Sequence, residues 1–221
     1  MLSTALGAGI IISPHIYPPT LPILDPSIAL ACLPYGITAI VAALFGWILA
    51  YAIQKKFGDR LNPLNIILPP IIFVLLSIRF GFGTEFAQGS ILCFLLLFAS
   101  NSDIHTREVP DSVSIIIAIT ALIGKELANI PTMLLAAVLI TFPQFAIAII
   151  KPNSYGGADI KLMAACAFLL GLEKGLIAII VGLLLAVICT VITRKMKNQS
   201  LKDSFALIPY LAAGSMLAFY I

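Results

Sequence analysis

The 221-residue chain is 61% hydrophobic and 10% charged, against about 25% charged residues in a soluble domain. That balance excludes an ordinary soluble domain and implies an integral membrane protein in contact with the lipid bilayer. The net charge of +3 is modest; it fits loop cations facing a cytoplasm, and no nucleic-acid partner is expected.

Residues 1–24 carry no charged side chain and lack the basic start of a signal peptide. Pro14, Pro18, Pro19 and Pro22 would break a helix repeatedly. A short apolar helix followed by an irregular outer segment is expected, with a full span as the alternative. The first clear span is 34–53, stopped by the cations of QKKFGDR at 54–60. The second runs 63–78 and ends at Arg79; the third, 86–100, delivers Asp103. The fourth, 113–123, is short against the roughly 20 residues a membrane helix needs. The fifth covers 131–150, and Pro143 within it predicts a kink. Asp159 leads into the sixth, 160–172; a tight turn at Glu173 and Lys174 separates it from the seventh, 176–192. A basic loop at 193–203 precedes the eighth, 205–221.

The expected fold is therefore an all-α polytopic integral membrane protein with about eight transmembrane helices. Residues 1–33 form an apolar, irregular N-terminal segment, 34–85 a pair of helices, and 86–221 the core. Alternation puts loops 54–62, 101–112, 151–159 and 193–204 on one side, with Lys55, Lys56, Arg107, Lys151, Arg194 and Lys195 among their cations. The other side holds only Arg79, Lys125 and Lys174. The cation-rich side is expected to be the cytoplasmic one.

Cys32, Cys93, Cys166 and Cys189 are far apart, lie in or beside apolar runs, and show no C-x-x-C spacing. They read as apolar filler, and no metal or cofactor is expected. His15 and His105 are the only histidines, so neither a Ser-His-Asp set nor an H-E-x-x-H motif is present.

Two acidic stretches fall on the cytoplasmic side. YGGADIKL, 155–162, brings Asp159 to the point where a loop enters a membrane helix. An ionisable residue at membrane depth is costly and marks a candidate site. Gly156 and Gly157, with Ala158, leave room for another backbone to approach it; a helix cap is the alternative for this aspartate. SDIHTREVPDS, 102–112, carries Asp103 and Asp111. Asp103 and Asp159 can meet at one depth, and two aspartates sharing a proton are the chemistry of water-activating peptide hydrolysis. Asp111 follows Pro110 and is expected to cap the next helix, with a supporting site role as the alternative. Lys161 lies on another helix face from Asp159 and is expected to anchor at the interface, or else to favour a nearby carboxylate. His105 and Arg107 are expected to be solvated, with a proton-partner role as the alternative for His105.

Asp103 with Val109, Pro110 and Asp111, followed by Gly156, Gly157, Ala158, Asp159, Ile160 and Lys161, resembles the motif pair of the type IV prepilin peptidases, membrane aspartyl peptidases. Ala158 stands where the family has its last glycine. The resemblance covers 86 to the C-terminus and includes PYLAAG at 209–214. It implies an aspartyl endopeptidase with Asp103 and Asp159 as the catalytic pair. The implied substrates are prepilins or pilin-like pseudopilins, cut between a basic leader and an apolar helix. Larger members carry a cysteine-rich cytosolic insert, associated with methylation of the new N-terminus. That insert is missing here, and Gly46 and Lys55 only faintly echo a nearby motif, so cleavage without methylation is expected. A preflagellin-type or presenilin-like protease is the neighbouring alternative. A small proton- or cation-coupled transporter is another; carboxylates at the membrane boundary speak against it, since transporter sites lie near the midplane. A structural subunit of a secretion machine is the third. The oligomeric state is not legible in the sequence.

Overall fold

The structure, a computed structural model, describes residues 26–58, 63–151, 155–197 and 205–221. Residues 35–221 form one compact unit. The expectations for residues 1–24, for Arg60 and for the basic loop beyond Lys197 lie outside the described residues.

Among the described residues all regular structure is helical. The helices are α1 (Pro26–Phe57), α2 (Leu64–Phe80), α3 (Thr84–Thr106), α4 (Asp111–Ala121), α5 (Ile130–Ile150), α6 (Gly157–Lys197) and α7 (Ile208–Tyr220). A short 3-10 turn, Leu127–Asn129, leads into α5. Long apolar side chains such as Ile40, Leu44 and Trp47 on α1, and Leu134, Val138 and Phe142 on α5, are exposed. In water such a surface would be a liability; in a bilayer it faces lipid. The protein is a helical membrane protein.

About eight spans were expected. Among the described residues, four helices are long and apolar enough to cross a membrane: Cys32–Phe57, Thr84–Thr106, Leu127–Ile150 and Gly157–Met196. Helices α2, α4 and α7 are apolar but shorter. Helix α6 is not continuous. Gly171 sits at φ 79°, ψ −178° and breaks it into two segments. The break expected at Glu173 and Lys174 falls at Gly171 because only glycine takes that backbone without a Cβ clash. Helix α1 also begins earlier than expected, with Pro34 inside it; membrane helices accommodate interior prolines by local adjustment. Pro143 likewise lies inside α5.

Helix α6 packs on α7, α5 and α4, while α3 packs on α7, α2 and α4. The main core joins Leu92, Leu96 and Ala99 of α3 to Val113 and Ile117 of α4, Leu162 and Cys166 of α6, and Ile208 and Ala212 of α7. Between helices in lipid, close backbone approach replaces the hydrophobic effect as the source of packing energy. Gly214 of α7 shows this: a side chain there would run into the Ala178 carbonyl and the Gly182 backbone of α6. This packing brings the end of α3 against the start of α7, with α6 packed on α7 and α4.

Candidate active site

Asp103 lies in the last turn of α3, which continues past the expected end at 100 to Thr106. Arg107 stops the helix at φ 57°, and its N–H donates to the Asp103 carbonyl at 3.1 Å. The turn after it is tied back by hydroxyls: Ser102 Oγ donates to the Glu108 carbonyl at 2.7 Å, and Thr106 Oγ1 to the Ser102 carbonyl at 2.9 Å. The Asp103 side chain is buried, at 7% exposure. Its Oδ2 accepts a hydrogen bond from the main-chain N–H of Ile208 at 3.1 Å. Ile208 is the first residue of α7, so the carboxylate faces the positive end of that helix.

Asp159 lies in the first turn of α6, and its Oδ2 accepts from the Gly156 N–H at 3.1 Å. This is the reach-back half of a capping box, so the capping role weighed in the sequence is real and occupies one oxygen. A Cβ on Gly156 would stand 2.9 Å from that Oδ2, so any larger residue there would displace the carboxylate. Gly157 is different: nothing lies within 4 Å of where its Cβ would be. Ala158 packs against the main core.

Tyr155 was not singled out as a site residue in the sequence. Burial pushes its phenol above the usual range, and the Asp159 carboxylate pushes it the same way. An aromatic residue before a glycine pair at a membrane boundary was the available signal, but interfacial aromatics are too common for it to stand out. The Ile208 N–H left no signal, because every non-proline residue has one.

Asp111 and Lys161 do something other than expected. Pro110 takes the capping position of α4 with no side-chain bond, and Asp111 is the first helical residue. Both Asp111 oxygens accept from Lys161 Nζ at 2.8 Å, so neither a cap nor an interfacial anchor describes the pair. It clamps α4 to α6 just past Asp159. Beyond it an apolar groove of about 470 Å³ runs between α4, α5 and α6, lined by Ser114, Ala118, Ala137, Ala164 and Phe168 among others. His105 is stacked on the Phe57 ring, centroids 5.0 Å apart. Arg194, expected in a solvated loop, is buried within α6 with its guanidinium over Phe205.

Residues 90–191 match the model of the type IV leader peptidase family, a span that takes in both acidic stretches. The chain is also 30% identical over 176 residues, 75% of its own length and 69% of the relative's, to the prepilin leader peptidase/N-methyltransferase of Bacillus subtilis (strain 168). No solved structure matches the chain. With that identity and coverage carried by a helical membrane protein, the chain belongs to the type IV leader peptidase family and is a protease.

Proposed function

We propose that the chain is an aspartyl endopeptidase that removes the leader peptides of type IV prepilins or pilin-like proteins at the cytoplasmic membrane face, without methylating the product. The observation that carries this reading is the pair Asp103 and Asp159. They come from the end of α3 and the start of α6, and each is held by a backbone amide.

Two carboxylates that act on one scissile bond do not both ionise readily, so the pair holds one shared proton. The ionised partner takes a proton from a water as the water oxygen attacks the scissile carbonyl carbon. The protonated partner gives its proton to the carbonyl oxygen. The gem-diol then collapses: the C–N bond breaks, a carboxylate proton passes to the leaving amine, and the shared proton is restored. Gly156, lacking a Cβ, lets the Asp159 carboxylate reach its amide, and the Asp111–Lys161 pair supports the wall beside Asp159.

The cation asymmetry between alternate loops supports a cytoplasmic site. The short α2, α4 and α7 and both parts of α6 are read as membrane-embedded, which gives about eight segments, with the peptidase core in 86–221. The four dispersed cysteines support cleavage without the cysteine-rich insert of the larger members. The test is mass spectrometry of a cognate prepilin after incubation with purified protein and S-adenosylmethionine. A product cut before its apolar helix and carrying no added methyl group is expected. An uncut substrate would overturn the peptidase reading, and a methylated product would overturn its second half.

A further inference from the structure

Asn65, in the first turn of α2, and Asn101, near the end of α3, are both buried, at 2% and 6% exposure. Their amides bond reciprocally. Asn65 Nδ2 donates to Asn101 Oδ1 at 3.2 Å, and Asn101 Nδ2 donates to Asn65 Oδ1 at 3.0 Å. Asn101 Nδ2 also donates to the Leu97 carbonyl of its own helix at 2.7 Å. The Asn65 end is itself fenced: a Cβ on Gly46 of α1 would stand 2.6 Å from the Asn65 carbonyl oxygen.

Apolar contacts fix the axial register of two membrane helices poorly, since a leucine that loses a helix partner gains a lipid. A reciprocal amide pair is different. It has one good geometry, and any slip leaves polar groups unpaired in an apolar interior. A buried asparagine pair setting register is well attested in coiled coils. Here the pair lies two positions before Asp103. A slip of one residue would carry Asp103 about 1.5 Å along the helix and about 100° around it. Catalytic constellations tolerate about 0.5 Å, and a misplacement of about 1 Å can cost about 100-fold in rate.

We propose that Asn65 and Asn101 are positioning residues: their amide pair sets the register of α3 against α2, and so holds Asp103 where it meets Asp159. The proposal rests on the peptidase reading, and its test separates the two. Single leucine variants strand one amide and can fail by misfolding. The informative protein is Asn65→Leu/Asn101→Leu, which leaves no orphaned amide in the interface and is expected to insert and melt like the parent. Its kcat on a cognate prepilin should fall by about tenfold or more with KM within about threefold, because loss of register affects the chemistry more than substrate capture.

A second readout does not depend on activity. In a background lacking the native four cysteines, Leu68→Cys on α2 is paired in turn with a cysteine at Phe94, Leu97 or Phe98 on α3. Leu68 and Leu97 line the same groove, so disulfide formation should concentrate on that pair when the asparagines are present. It should spread to the neighbouring positions in the double leucine variant. Parental kcat in that variant, or an unchanged cross-linking pattern, would overturn the proposal. A parent protein that cuts no prepilin would instead overturn the peptidase reading, and the cross-linking would still decide the register.

Discussion

The main-chain N–H of Ile208 donates to Oδ2 of Asp103 at 3.1 Å, across 105 positions of sequence. The bond joins the end of α3 to the start of α7 and fixes the carboxylate through a main-chain donor. Removing that donor tests it. Ile208→Pro deletes the N–H at a helix start, where proline is tolerated, while Ile208→Ala removes the buried side chain and keeps the donor. A hydrogen bond to a charged group is worth about 1.5–3 kcal/mol, or about 10- to 100-fold in rate. Turnover should fall by that factor more in Ile208→Pro than in Ile208→Ala. Equal losses would mean that Ile208 matters only for packing.

The two glycines before Asp159 should respond differently to one methyl group. Gly156→Ala would put a carbon 2.9 Å from Asp159 Oδ2 and push the carboxylate off its amide. A fall in kcat of about 10- to 100-fold is expected. Gly157→Ala meets nothing within 4 Å and improves helix propensity at the start of α6, so its activity should stay near that of the parent. The comparison needs only matched expression and a cleavage assay.

The Asp111–Lys161 pair is more than half exposed on both sides, at 64% and 57%. Exposed pairs contribute about 0–1 kcal/mol, so Asp111→Asn and Lys161→Met should each cost at most about fivefold in kcat/KM. A double-mutant cycle should give a coupling that shrinks as salt is raised, since the pair is open to screening. Loss of all activity in either single variant would assign that residue a direct part in the chemistry.

Orientation can be checked in whole cells. In a background lacking the native cysteines, Glu108→Cys, in the turn after Asp103, should resist an impermeant thiol reagent. Asn129→Cys, before α5, should react. Reversed labelling would put the aspartates on the other face of the membrane.

Helix identity was legible because it rests on local signals: long apolar runs bounded by charges mark the helices. The position of the break in α6 was misread. Charged Glu173 and Lys174 look like a surface turn, but the left-handed φ of 79° at Gly171 is a backbone requirement met one turn earlier. Pro34 looked like a helix start and proved to be interior to α1. Contacts between distant residues were out of reach. Asp111 and Lys161 lie 50 positions apart, so a local reading could offer a nearby carboxylate for Lys161 as an alternative but could not name Asp111 as that carboxylate. The reciprocal bonding of Asn65 and Asn101, 36 positions apart, is equally invisible until the helices are packed.

The most direct measurement compares the parent with Asp103→Asn, Asp159→Asn and the double variant in cleavage of a cognate prepilin, with enzyme levels matched by immunoblot. Asparagine keeps the size of each side chain and its ability to accept the Ile208 or Gly156 N–H, but removes the proton chemistry. Each single variant should insert normally and cut at background level. The double variant should be scarcely worse than either single, because the pair acts as one unit. Near-parental turnover in either single variant would contradict the aspartyl mechanism.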